Sequence, residues 1–394
     1  MQLIPSPAAQ RAACLLRKAG FETVFVGGCV RDACRGVTPH DFDLATAAYP
    51  AEMLSVFSGC RVLTTGIRHG TVTVVFDREA VEITSFRADG AYSDGRRPDA
   101  VRFSRSLDED LARRDFTVNA LAVGANGRLI DRFGGLNDLK NGVLRAIGDA
   151  DARFREDALR ILRALRFSAR LGFVIEPDTA AALFRNKELL TALSGERVAS
   201  ELFSLLEAPG AGVVVGRYFE VLQTVLPELT NQDAVKTLDL LPAEAPLRLA
   251  ALLLPAGEET ARRALSRLCV SNRICRRVLA AVRLGRRPFP PAEEDLLRLL
   301  ACGGEQAALD CAALREASGE KNCRARLAAV LAKRPCVSLS ALAVDGNDLL
   351  EGGIAAGKPL GAALRALLDA VIAGRVENER NALLAFLREN PPKK

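Results

Sequence analysis

The sequence predicts a mixed α+β domain over roughly the first 150 residues, followed by a long all-helical extension. Three observations predict it. Short β-branched runs that read as strands lie in the N-terminal part. From about Asp151 onward, leucine- and alanine-rich segments follow one another with helical spacing. The 394 residues are enough for about two to four domains, and no fixed repeat period runs through them.

Ser6-Pro7 carries the start signal of a first helix, which Gly20 closes. Short runs then read as strands: Thr23–Val26, Phe42–Leu44, Thr71–Phe76 and Val81–Phe86, the last two forming a hairpin across Asp77-Arg78-Glu79-Ala80. A further strand–turn–strand pattern is expected over Leu129–Arg132 and Val143–Ile147. Ala158, Leu159, Leu162, Leu165 and Leu171 mark the apolar face of one long helix. Helical segments follow at 178–206, 232–254, 259–284, 292–302, 305–316, 323–333 and 361–388. Pro255-Ala256-Gly257, Arg286–Pro291 and Arg334-Pro335 punctuate them.

Composition excludes several classes. Hydrophobic residues make up 49% and charged ones 26%, which rules out a disordered or collagen-like chain. The longest apolar runs, such as Leu249–Leu254, stop far short of the roughly 18 residues of a membrane span. Met1–Pro7 has no basic region and no long apolar stretch, so a secretory signal is not expected and a soluble, cytoplasmic protein is. The ten cysteines include no C-x-x-C pair and there are only two histidines, His40 and His69; reduced thiols are expected and a structural zinc site is not. The net charge of +6 is modest, but only nine of the 54 basic residues are lysine, leaving 45 arginines. The arginine fork suits phosphates and base edges.

Four groups of residues carry chemistry. In Val24-Phe25-Val26-Gly27-Gly28-Cys29-Val30-Arg31-Asp32, a strand runs through two glycines into a helix with an arginine on its first turn. This is a tight strand-to-helix turn, and also a place where backbone N–H groups meet a phosphate closely. His40-Asp41-Phe42-Asp43-Leu44 then starts a strand in which alternation puts Asp41 and Asp43 on one face. Such a pair serves as a turn cap or, with Cα atoms about 6–7 Å apart, shares magnesium ions bridged by substrate phosphates. The glycine turn upstream favours phosphate transfer, and Glu82 on the hairpin offers a third carboxylate. Arg113-Arg114-Asp115 with Asn119 sets two cations, a carboxylate and an amide around one helix start. Finally Asp157, Arg160, Arg163 and Arg166 recur every three residues along one side of a helix. They form either a solvated charged stripe or a reader of bases. Asp157 offers only acceptors and Arg160 only donors. Together they match cytosine and adenine, which present an amine donor beside a ring-nitrogen acceptor, and leave guanine and uracil unpaired.

The set Gly27-Gly28-Cys29-Val30-Arg31-Asp32, Asp41-Phe42-Asp43, Glu82 through Arg87, Arg113-Arg114-Asp115 and Glu156-Asp157-Ala158-Leu159-Arg160 resembles the class II tRNA nucleotidyltransferases. These are the bacterial CCA-adding enzymes and their poly(A) polymerase relatives. The resemblance runs in order from Phe21 to about Leu206. It implies a polymerase-beta-like nucleotidyltransferase head (1–148), a helical neck that recognises the base (149–206), an RNA-binding body (207–335) and a tail on the tRNA elbow (336–394). It implies that Gly27, Gly28 and Arg31 hold the triphosphate, and that Asp41 and Asp43 bind Mg2+ and act catalytically with Glu82. Arg114 would meet the sugar-phosphate part, beside Asp115 and Asn119. Asp157 and Arg160 would read the base, assisted by Arg163 and Arg166. Ser194-Gly195-Glu196-Arg197-Val198 through Glu201-Leu202 resembles the last neck motif, expected to be structural. The implied partners are CTP, ATP and the 3′ acceptor end and elbow of tRNA, with no membrane. Monomer and homodimer both stay open.

Within that family the chain resembles the full CCA-adding members. Arg87 through Pro98 is similar to the loop needed for the final A, with Arg97 where the family usually has histidine. Val344–Leu350 through Gly357–Gly361 is similar to the tail of compact bacterial enzymes. No histidine follows His69, so the metal-dependent phosphohydrolase domain of some relatives is not expected, and Pro391-Pro392-Lys393-Lys394 brings no long basic extension of the poly(A) polymerase kind. The alternatives are a poly(A) polymerase, an A-only or CC-only enzyme, and, outside enzymes, a tRNA-binding protein with an inactive head.

Overall fold

The structure, a computed structural model, describes residues 3–39, 41–88 and 102–390. His40 and most of the loop-like stretch, from residue 89 through Pro98, lie outside the described residues. The chain forms two compact units, Met1–Pro227 and Glu228–Lys394.

In the first unit, Ser6 caps α1 (Pro7–Lys18), its hydroxyl accepting from the Ala9 N–H at 3.2 Å. Then come β1 (Thr23–Val26), α2 (Gly28–Cys34), β2 (Asp43–Thr46), α3 (Pro50–Val56), β3 (Arg61–Leu63), β4 (Thr71–Phe76) and β5 (Glu79–Ser85). Next are β6 (Arg87–Ala88), β7 (Arg102–Phe103), α4 (Leu107–Ala112), a 3-10 turn at Thr117–Asn119, β8 (Leu121–Val123) and β9 (Leu129–Asp131). The seven-stranded sheet has the order β3-β4-β5-β2-β1-β8-β9. Only β2 and β5 pair in parallel; the other pairs in it are antiparallel, so the sheet is mixed as expected. Val24, Val26, Ala45, Phe86, Leu111 and Ala122 form a core with Leu107 and Ile147. The β4–β5 hairpin is tighter than the sequence reading, because Asp77 (φ 46°) and Arg78 (φ 75°) both adopt left-handed backbone and close a two-residue turn.

The strand–turn–strand expected over Leu129–Ile147 is corrected. Asp131 accepts from the N–H groups of Gly135 and Leu136, both at 2.9 Å, and so starts a helix, α5 (Gly135–Asn141), between the two segments. β10 (Val143–Leu144) instead pairs in parallel with β11 (Val174–Ile175). Between them lie α6 (Ala150–Glu156) and α7 (Leu159–Leu171), where the sequence reading placed Asp157 on the same helix as Arg160. Asp157 is in fact extended (φ −148°, ψ 102°), and its carboxylate accepts from the Leu159 N–H at 3.1 Å, ending one helix and starting the next. The predicted apolar face holds: Ala158, Leu162, Leu165 and Leu171 are buried. α8 (Pro177–Asn186), α9 (Gly195–Leu206), α10 (Ala211–Arg217) and α11 (Phe219–Val225) complete the unit.

The second unit is helical throughout its described residues. It opens with a 3-10 stretch, Gln232–Leu240, and continues through α12 (Ala245–Leu253), α13 (Glu258–Arg267), α14 (Asn272–Gly285), α15 (Glu293–Gly303), α16 (Glu305–Ala317) and α17 (Cys323–Ala332). α18 (Gly346–Glu351), α19 (Lys358–Ile372) and α20 (Arg380–Glu389) follow. One cluster packs Leu296, Leu300, Ala308, Cys311 and Leu327; a second packs Leu349, Leu367, Ile372 and Leu383. Among the described residues no helix is long and apolar enough to cross a membrane.

Candidate active site

The first unit carries an open cavity of about 910 Å³ between the sheet and α7. Gly27 leaves β1 with φ 70°, a backbone that favours glycine; a Cβ there would lie 3.4 Å from Arg114 Nη1 and 3.8 Å from Asp43 Oδ2. The close approach leaves the turn open to a ligand. Arg31, on α2, is buried; its Nη1 donates to Asn119 Oδ1 at 2.8 Å and its Nε to Asp32 at 3.0 Å.

Asp41 and Asp43 both line the cavity while the Phe42 ring packs edge-on against Phe25 at 6.4 Å, so the expected alternation is present. Leu44 pairs with Ile83, which carries Asp43 level with Glu82 on the adjacent strand. Desolvation, then the charge of Glu82, raises the Asp43 carboxyl above the usual aspartate range; Asp41 adds to this and the Arg114 guanidinium opposes it. Mutually repelling carboxylates of this kind, with oxygen as the only donor, suit a hard divalent cation. Glu82 does not line the cavity itself. Among the described residues no group of three or more His, Cys, Asp or Glu side chains forms a metal cage, so phosphate and water oxygens would fill the rest of an ion's shell.

Arginines make the facing wall, and carboxylates hold them. Fully buried Asp110 takes Arg113 through Oδ1 at 2.7 Å and Arg114 through Oδ2 at 2.9 Å. Asp115, also buried, accepts from Arg163 at 2.6 and 2.8 Å, from Asn119 at 3.0 Å and from the Phe116 N–H at 2.8 Å. Burial opposes both carboxylates, but the guanidiniums outweigh it and hold both below the usual range. Asp157 meets Arg197 through both oxygens at 3.1 Å. Arg160 donates to Glu156 at 2.5 Å and to the carbonyl oxygens of Arg113 at 2.9 Å and Arg153 at 3.1 Å. Arg166 lies 2.6 Å from Glu201, and Arg31, Arg163 and Arg166 all stand within 5.6 Å of the Phe167 ring.

The cavity therefore gathers Gly27, Gly28, Arg31, Asp41, Asp43, Arg114, Asp115, Asn119, Asp157, Arg160, Arg163 and Arg166. Of the residues singled out in the sequence, only Glu82 stands outside its lining. Sequence reasoning passed over Asp110, although its spacing from Arg113 and Arg114 is that of helical ion pairs. It placed Arg197 in a purely structural motif; only the folded chain reveals the contact of Arg197 with Asp157, 40 positions away. Phe167, the hub of three cations, looks in the sequence like any core aromatic.

A mixed sheet with two acidic side chains beside a glycine turn, faced by arginines from downstream helices, has the layout of a nucleotidyltransferase head. Residues 23–145 match the Poly A polymerase head domain, residues 172–233 the probable RNA and SrmB-binding site of polymerase A, and residues 245–387 the putative tRNA nucleotidyltransferase domain 2. The chain is 39% identical to the CCA-adding enzyme of Lactiplantibacillus plantarum over 95% of its length and 93% of that protein, and 40% identical to that of Lactobacillus delbrueckii over 94% and 95%. The crystal structure of the Bacillus stearothermophilus CCA-adding enzyme in complex with CTP superposes with a TM-score of 0.84 at 33% identity, covering 98% of each chain. The chain belongs to the class II tRNA nucleotidyltransferases, in the family of bacterial CCA-adding enzymes.

Proposed function

We propose that this protein adds C, C and A to the 3′ end of tRNA from CTP and ATP, releasing pyrophosphate, and that the arginine-walled cavity of the first unit is where each addition occurs. The supporting observation is the gathering, in one cavity, of the Asp41–Asp43 pair with Asp157 and Arg160. The terminal ribose 3′-hydroxyl attacks the α-phosphate in line; the O3′–P bond forms as the bond to pyrophosphate breaks. Asp41 and Asp43 would hold Mg2+, which when bound activates the hydroxyl and neutralises the leaving pyrophosphate. Glu82 adds to the negative charge of that corner from the next strand.

The Gly27-Gly28 turn and Arg31 receive the triphosphate, and Arg114 the sugar-phosphate part, each pre-oriented by a bonded partner (Asn119 for Arg31, Asp110 for Arg114). Asp157 accepts from the exocyclic amine of C or A, and Arg160 donates to the ring nitrogen. Arg197 holds the Asp157 carboxylate as an acceptor, and Arg163 and Arg166 fix the side of α7 that faces the base. G and U would leave these groups unpaired, a cost of about 1–3 kcal/mol each. The division into head, neck, body and tail at 148, 206 and 335 belongs to this reading, the body and tail gripping tRNA mainly through phosphates. So does work in the cytoplasm.

The test is one assay. A tRNA lacking its three terminal nucleotides is incubated with each NTP alone and with CTP plus ATP, and products are resolved by length. Three additions and a stop are expected; a long A ladder identifies a poly(A) polymerase, and no extension rejects the reading.

A further inference from the structure

At Arg87 a buried donor of the cavity's arginine wall lacks an acceptor. Arg87 lies just past β5, pairs in β6 with Phe103, and lines the same cavity as Gly28, Asp43 and Arg160. Neighbouring arginines meet carboxylates: Arg113 and Arg114 on Asp110, Arg163 on Asp115. Arg87 Nε, by contrast, is buried and makes no hydrogen bond. The backbone N–H of Arg87 reaches Asp110 Oδ1 at 3.2 Å, but that carboxylate already receives both Nε and Nη2 of Arg113 and of Arg114. Burial, then Arg113 and Arg114 alongside, pushes the Arg87 guanidinium down to about 10 against the opposing charge of Asp110, and it is still charged at neutral pH.

A buried guanidinium N–H without an acceptor is costly. The arrangement makes sense when a ligand supplies the missing acceptor, and the arginine fork fits a phosphate oxyanion. We propose that Arg87 is a phosphate-binding residue of the transfer reaction, taking an oxyanion of a substrate seated in the cleft: the terminal phosphodiester of the tRNA or the triphosphate of the incoming nucleotide. The inference rests on the nucleotidyl-transfer reading above and adds to it a contact outside the glycine turn.

The test uses full-length Arg87→Gln and Arg87→Lys beside wild type. CTP incorporation into truncated tRNA is measured with each substrate varied in turn, at several salt concentrations. Arg87→Gln should raise one KM about tenfold or more, with Arg87→Lys retaining part of the affinity. If the acceptor is RNA phosphate, the tRNA KM rises and the slope of log affinity against log salt shrinks by about 0.7. If it is the triphosphate, the KM values for CTP and ATP rise together and pyrophosphate inhibits less well. The thermal midpoint of the ligand-free variant should not fall, because a buried charged donor that lacks an acceptor has been removed. An Arg87→Gln protein with both KM values and the salt slope unchanged overturns the inference, whether or not its midpoint has fallen. Wild type that extends no tRNA overturns the underlying reading instead.

Discussion

At the scale of single residues, the cleft holds its cations by built-in anions. Asp157 is the clearest case, because its carboxylate is shared between the Leu159 N–H and Arg197. Arg197→Met frees Asp157 to turn, so selectivity for C and A over U and G should fall about tenfold, as Asp157→Asn should also make it fall; competition assays with mixed nucleotides measure both. Unchanged selectivity in both variants would remove the base-reading role. Asp110 makes a second prediction. Its folded pKa lies below the ordinary aspartate value, so the folded protein takes up this proton later than the unfolded chain as pH falls. The stabilisation is complete above about pH 4 and is lost as pH drops through the depressed folded value. Asp110→Asn leaves Arg113 and Arg114 without their carboxylate, which should cost about 3–5 kcal/mol at neutral pH and flatten the acid limb of a melting-temperature profile.

Elements translate those contacts into positions. α5 packs so closely on the Thr117–Asn119 turn that a Cβ on Gly135 would sit 2.2 Å from the Thr117 carbonyl oxygen. Gly135→Ala must push that turn, and with it Asn119 and its bond to Arg31. Reduced stability together with a raised KM for CTP is the expected result, read by thermal unfolding and steady-state kinetics. Much at this scale was legible in the sequence. The Ser6 cap, the alternation at Asp41-Phe42-Asp43 and the buried stripe of α7 are local physics, and each appears as read. What escaped depends on bonds that spacing does not encode. Asp131 turns a predicted strand–turn–strand into a helix by capturing two N–H groups, and Asp157 divides a predicted continuous helix by capturing one. Arg197 reaches the cleft, and Glu201 reaches Arg166, only because α9 packs on α7.

At the scale of the whole molecule, the two compact units have separate hydrophobic clusters, Val24 through Ile147 in the first and two helical clusters in the second. Proteins of this build depart from two-state unfolding. Calorimetry should resolve two transitions, and CTP, which we propose binds the first unit, should raise only the transition of that unit. A single transition shifted as a whole would show that the units unfold together. Within the first unit, the short β10–β11 ladder joins the residue pair before α6 to the pair after α7. The intervening hairpin is thus staked at both feet. If Asp157 and Arg160 read the base as proposed, a bracket pinned at both ends would offer C and then A one and the same spacing, a ruler in place of a copied strand.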